Sequence, residues 1–215
     1  MRNSTLTRAM MTLMAGLWLT SSALAAPPAP AETTAPDPKQ RIADVYAGVT
    51  KATQTVATQD ELVTALTVTL DDLMDYEAFA RRTLKTSWPT LTKVQRDTFM
   101  DRFKKLVVVV YAKRFKPRTA FDVGWREGGV KYKTEAKAEA KVMSTIKGGS
   151  VSADVDYYLT FGGTATKGRW FVYDFEIDQV SMALNWRKRF ESIIKKDGFA
   201  ALITKIEARI EKAED

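Results

Sequence analysis

The chain contains no cysteine and no histidine. A thiolate nucleophile, a disulfide, a zinc or copper site built from sulfur and imidazole, and any dyad or triad using histidine are therefore excluded. A metal would have only carboxylate and carbonyl oxygens to bind, a set that suits Ca²⁺ or Mg²⁺. What remains for acid–base chemistry is aspartate beside tyrosine, at Asp156-Tyr157 and at Tyr173-Asp174. A buried Asp base with a Tyr hydroxyl as oxyanion donor is a known working pair on cone-shaped α+β folds. Both pairs fall in stretches of period two, where neighbouring side chains leave opposite faces of a strand. Neither pair converges on one site, and Asp174 reads better as a structural hydrogen-bond acceptor.

The other chemistry-bearing groups are cations. Lys and Arg total 33 against 26 Asp and Glu, a net charge of +7. One basic run holds Lys104, Lys105, Lys113, Arg114, Lys116 and Arg118; a second holds Arg187, Lys188, Arg189, Lys195 and Lys196. Such runs approach lipid phosphates, dock on acidic surfaces, or simply form solvated helix faces.

The N-terminus decides which anions are within reach. Arg2 and Arg8 precede a short apolar run from Ala9 to Leu19, and Ala23-Leu24-Ala25 supplies a small-x-small cleavage site. The run is about half the roughly 20 residues that a spanning helix needs, so residues 1–25 read as a secretory signal peptide and the mature protein as periplasmic. No cysteine stands at the cleavage site to receive a lipid. Export makes nucleic acid an unexpected partner. Residues 26–37, with four prolines among Ala, Thr and Glu, read as a flexible leader. Residues 38–215 read as one domain, with 45% of the whole chain hydrophobic.

The elements that must position these groups follow from periodicity. Asp37 caps a helix with Pro38 at its first position and Ile42, Val45, Val49, Ala52 and Val56 along one face. Thr58 or Asp60 caps a second, and Asp75 precedes a short one carrying Tyr76, Phe79, Ala80 and Leu84, ended by Trp88-Pro89. Thr92-Lys93-Val94-Gln95 is a capping box opening the longest helix, whose inner stripe is Phe99, Phe103, Leu106 and Val110, widened by Val107, Tyr111 and Phe115. From Arg118 to Asp178 the period becomes two, with hairpin-type turns expected at Glu127-Gly128-Gly129, Lys147-Gly148-Gly149-Ser150 and Phe161-Gly162-Gly163-Thr164. Trp170 to Ile177 is apolar on both faces, as in a covered central strand. The chain ends helical, with Leu184, Phe190, Ile193 and Ile194, a break at Asp197-Gly198, then Phe199, Leu202, Ile203, Ile206 and Ile210. Helices, then an antiparallel sheet, then helices make an α+β fold.

Thr134 to Lys141 carries two conflicting signals. Its composition suits an exposed helix, yet its charges and alanines alternate as in a strand. The flanking Gly-Gly turns favour the strand, whose inner face would then be lined by methyl groups alone and leave room for a ligand.

Trp170-Phe171-Val172-Tyr173-Asp174, followed by Val180-Ser181, Asn185-Trp186-Arg187 and Phe190, resembles the MlaC/Ttg2D family of periplasmic phospholipid-binding proteins. So do Asp75 to Ala80 followed by Trp88, the segments Thr92–Arg96 and Phe99–Phe103, and the ending Gly198 to Ile203. The likeness runs from about Asp37 to Ile210. It departs at Val151-Ser152-Ala153-Asp154, where the family often has preceding prolines, and at Gln179, where it usually has glycine. A hopanoid-associated branch resembles the chain too. The resemblance implies a nuclear-transport-factor-like fold: a twisted antiparallel sheet flanked by N- and C-terminal helices, enclosing an apolar pocket for acyl chains. It further implies phospholipid as cargo rather than a cofactor, and no catalysis. Its implied partners are an inner-membrane Mla-type ABC transporter complex and an outer-membrane lipoprotein–porin complex, with outer-membrane lipid asymmetry as the outcome.

The residue chemistry agrees with that implication. Each methylene moved from hydrocarbon to water costs about 0.8 kcal/mol, and a diacyl lipid carries on the order of 30 of them. A carrier must therefore offer an apolar interior and needs no reactive group. The candidate pocket residues are Phe103, Val107, Tyr111, Val155, Tyr157, Leu159, Val172 and Val180, with Tyr111 and Tyr157 able to turn hydroxyls towards a glycerol region. Taken singly, each also fits an ordinary packed core. A lipid-independent envelope adaptor would have that core filled, with no cavity.

Overall fold

A computed structural model describes residues 35–133, 135, 137–148, 151–163 and 168–214. The expected signal peptide and the leader as far as residue 34 lie outside the described residues, as do Thr134, Ala136, Gly149, Ser150 and Thr164. The last residues of the expected leader are pinned: Ala35 packs on the core, and the Pro36 carbonyl accepts a hydrogen bond from the Trp170 indole.

Helix α1 (Pro38–Thr55) starts where its cap dictates, the Asp37 carboxylate accepting from the Lys39 amide at 2.9 Å. Helix α2 (Gln59–Leu73) is opened by Thr58, which forms a reciprocal capping box with Glu61. Asp75 caps α3 (Tyr76–Thr83), and a 3₁₀ turn at Trp88–Thr90 leads to the second capping box, Thr92 with Gln95, at the head of α4 (Lys93–Ala112). Strands β1 (Asp122–Tyr132), β2 (Glu139–Gly148), β3 (Val151–Phe161), β4 (Trp170–Ile177) and β5 (Val180–Ser181) form one antiparallel sheet in sequence order. Helix α5 (Met182–Glu214) closes the fold, broken at Gly198 (φ 87°, ψ 171°). The fold is α+β, as the element order predicts. The break at Asp197-Gly198 leaves α4 longer than either half of α5, although α5 as a whole spans more residues.

One turn expectation and one strand expectation are corrected. Glu127-Gly128-Gly129 does not reverse the chain. Trp125 pairs with Ser144 and Val130 with Val142, so residues 126–129 bulge out opposite Met143 alone while β1 continues along the same partner. Gly128 supplies the positive φ of 70° that this excursion requires. The reversal comes later, closed by the Lys133 amide bonding to the Glu139 carbonyl at 2.9 Å. The methyl-lined strand expected over Thr134 to Lys141 is also shortened: β2 begins only at Glu139, and Lys137 takes a left-handed φ of 50° before it, Thr134 and Ala136 lying outside the described residues. Only Ala140 of its alanines lies in β2, fully buried in packed core. Of the other two turns, Gly148 pairs with Val151 across the β2–β3 connection, and Gly162 and Gly163 have positive φ at the end of β3.

The main core is aromatic. Phe103 stacks between Phe79 and Phe99, each 5.1 Å away between ring centroids, with Phe190 at 5.8 Å and Trp186 at 6.3 Å. A smaller cluster of Val49, Leu62, Leu66 and Ala112 ties α1 and α2 to the end of α4.

Candidate functional site

Between α1, α2, the C-terminal half of α4 and the inner face of the sheet lies an apolar cavity of about 150 Å³. Helix α1 contributes Ile42, Val45, Tyr46 and Val49, and α2 contributes Leu66, Leu70 and Leu73 at helical spacing. Helix α4 adds Val107, Tyr111 and Ala112, with Phe115 just beyond it. The sheet floor is Ile146, then Ala153, Val155 and Tyr157 at every second residue of β3, then Val172, Phe175 and Ile177. The odd step from Val172 to Phe175 has a local cause. Tyr158 pairs with Asp174 and Leu159 with Val172, so Tyr173 is the extra residue of a bulge that exchanges the faces of β4. Among the lining residues Arg114 alone carries a charge, and it is exposed.

Away from the exposed Arg114, the hydroxyls between α1 and the sheet are neutral and paired. The hydroxyls of Tyr46 and Tyr157 hydrogen-bond to one another, with their rings edge to face at 6.2 Å. The buried Ser144 hydroxyl is an additional partner for both. Burial pushes both phenols well above their ordinary ionisation range. Tyr111 is pushed up to about 12, again chiefly by burial. Such a site solvates hydrocarbon and offers no charge to an acyl chain.

Five of the eight residues expected from sequence line this cavity: Val107, Tyr111, Val155, Tyr157 and Val172. Phe103 and Leu159 do not. Both are fully buried in the packed core, Phe103 on the α4 face turned to α3 and α5. Val180 is 52% exposed, contrary to the inward orientation expected of it. Asp178 and Gln179, both at positive φ, turn the chain tightly into a two-residue β5 in which Ser181 faces inward, so Val180 faces out. The eight expected residues include neither the α1 wall, with Tyr46, nor the contribution of α2. Its signal was Leu66, Leu70 and Leu73, a stripe indistinguishable from core packing.

Asp174 is fully buried and its oxygens are committed. Oδ1 accepts from the amides of Phe175 (2.9 Å) and Ala183 (3.1 Å), and Oδ2 from Ser181 Oγ (2.8 Å) and Arg82 Nε (2.7 Å). It fixes the β4–β5 turn to the start of α5. Asp156 is ion-paired to Arg126 and, at 2.7 Å, to Lys141. Among the described residues no cluster of three or more carboxylates is placed to hold a metal ion, and no helix is long and apolar enough to cross a membrane.

An antiparallel sheet whose helix-covered face keeps an apolar void defines a binding fold. Residues 39–208 match the family model described as MlaC protein, and the chain belongs to the MlaC family. Among solved structures, its fold is similar to that of a phospholipid-binding protein from Ralstonia solanacearum determined in complex with a phospholipid. The TM-score is 0.70 at 16% identity, over 82% of this chain and 98% of that one. No curated protein sequence matches the chain.

Proposed function

We propose that the protein is a periplasmic phospholipid carrier: it takes acyl chains into the cavity between α1, α2, α4 and the sheet and carries lipid across the aqueous gap between membranes. The observation that carries this reading is the cavity itself, apolar on every wall and with its phenols neutral and mutually bonded. Family membership and the fold shared with a protein solved with a phospholipid support it. Residues 1–25 act as the export signal, and 38–215 form the lipid-binding domain. Delivery runs between an outer-membrane lipoprotein–porin complex and an inner-membrane ABC transporter, sustaining outer-membrane lipid asymmetry. No catalytic step is needed. Asp174 and Asp156, the carboxylates suited to one, are held in structural bonds.

Native mass spectrometry of the gently purified exported protein tests the reading. Adducts with masses of intact diacyl phospholipids are expected, and Ala153→Trp, which puts an indole into the cavity from a half-buried position, should reduce their occupancy severalfold. Triterpenoid adducts would replace phospholipid by a hopanoid-type cargo. A protein that stays unliganded after incubation with vesicles would refute the carrier function.

A further inference from the structure

A second, polar cleft of about 330 Å³ adjoins the cavity and shares Tyr111, Arg114 and Ile177 with it. Its other walls are Val110, Asp178, Met182, Asn185, Trp186, Arg189 and Arg209. Three guanidiniums, from the end of α4 and both halves of α5, thus meet where the apolar void reaches the surface. Most arginines elsewhere in the domain are neutralised by a carboxylate or, like Arg96 and Arg187, bonded to backbone carbonyls. Arg41, Arg81, Arg82, Arg102, Arg126 and Arg169 each have a carboxylate partner. Among the described residues no ion pair engages Arg114, Arg189 or Arg209. The one carboxylate on the cleft wall, Asp178, has an oxygen taken by the Asp154 amide at 3.0 Å. Arg209 lies over the Trp186 ring, 5.7 Å from its centroid, which orients the guanidinium without neutralising it.

Three like charges gathered at one cleft repel one another unless an anion joins them. Resting on the carrier function above, we propose that this cleft holds the phosphate of the lipid whose acyl chain lies in the cavity, and that it selects anionic over zwitterionic phospholipid. Arg114, common to both spaces, bridges the ester region to the phosphate. Arg189 and Arg209 take the phosphate oxygens, for which the planar guanidinium fork is suited. Asn185 supplies a neutral donor to the head group. A zwitterionic head group would bring its ammonium into the same positive field, which is the source of the discrimination.

The test loads full-length exported protein from vesicles mixing phosphatidylethanolamine with phosphatidylglycerol and reads the ratio of bound species by native mass spectrometry. The wild type should be enriched in phosphatidylglycerol about fivefold over the vesicle composition, because solvent-exposed charges discriminate only modestly. The enrichment should shrink with added salt. R189Q/R209Q should load the same total lipid in the vesicle ratio, and R189K/R209K should recover part of the enrichment. Both side chains are exposed, and neutralising them leaves no carboxylate unpaired, so the variants fold. Total occupancy of the wild type reports on the carrier function, and its absence would overturn that function. Full occupancy in the vesicle ratio, or enrichment that survives R189Q/R209Q, would overturn the head-group site alone. Calorimetric titration of the lipid-free protein with inorganic phosphate separates the remaining source. Saturable phosphate binding without lipid selectivity would make the cleft a free-phosphate site and overturn the head-group assignment.

Discussion

The tyrosine pair shows how a cavity meant for hydrocarbon tolerates hydroxyls. Tyr46 reaches in from α1 and Tyr157 from β3, and each satisfies the other, with Ser144 behind them. Removing one hydroxyl leaves its buried partner short of a bond and should cost about 1–2 kcal/mol, whereas removing both should cost less than the two single changes combined. Urea unfolding of Tyr46→Phe, Tyr157→Phe and the double variant checks this as a double-mutant cycle. The same pair sets a pH dependence. Both phenols ionise in the unfolded chain near the ordinary phenol value of 10.0 but well above it in the fold. Above pH 10 the unfolded state therefore binds fewer protons than the native one, and stability falls as pH rises. The contribution is complete below pH 10 and is lost progressively above it. The double variant should lose stability less steeply than the wild type between pH 10 and the end of the accessible range; parallel curves would mean that the hydroxyls are solvated.

At the scale of elements, what could be read from sequence was whatever local chemistry decides alone. Asp37, Thr58, Asp75 and Thr92 each start a helix because a side-chain oxygen answers an orphan amide within the next three residues. Pairing across the sheet was harder. Gly128 looks the same in a two-residue turn and in a bulge, and the distinction depends on whether the partner strand continues opposite it, which no local window contains. The cavity itself was half visible. Alternation along β3 marked Val155 and Tyr157, but whether Phe103 or Val107 faces a void depends on which α4 face meets α5 and which is left uncovered. Gly198 is the clearest local signal of all. At φ 87° and ψ 171° it occupies a region essentially reserved for glycine, and nothing lies within 4 Å of where a Cβ would stand. Gly198→Ala should therefore destabilise through backbone strain alone, by about 1–3 kcal/mol, measured as a shift of the urea midpoint at unchanged slope. A loss below a few tenths of a kcal/mol would mean that the two halves of α5 can merge into one straight helix without disturbing the core.

For the domain as a whole, capacity and stability are linked. A void of about 150 Å³ accommodates part of one acyl chain. A lipid with on the order of 30 methylenes to shelter requires the walls to part, and the walls are not equally held. Strands β2 and β3 pair over ten consecutive residues, and α4 is clamped to α5 by the Phe99, Phe103, Phe190 and Trp186 rings. Helices α1 and α2 rest largely on the smaller Val49, Leu62, Leu66 and Ala112 cluster and on the rim of the void, with Ile42, Tyr46 and Leu73 as their buried anchors in the main core. They are the cooperative unit with least to lose on opening. In lipid-free protein, amide exchange should be fastest among the helices in α1 and α2. Lipid at about a hundred times its dissociation constant stabilises the native state by about 2.7 kcal/mol. That gain should appear mainly as slowed exchange in α1 and α2, while the β2–β3 amides, already protected to the level of global unfolding, slow only with the global change. Uniform slowing across both regions would place the moving wall elsewhere. Exchange slowed first in the two halves of α5 would make the arginine cleft, rather than the α1–α2 side, the entrance through which the chain passes.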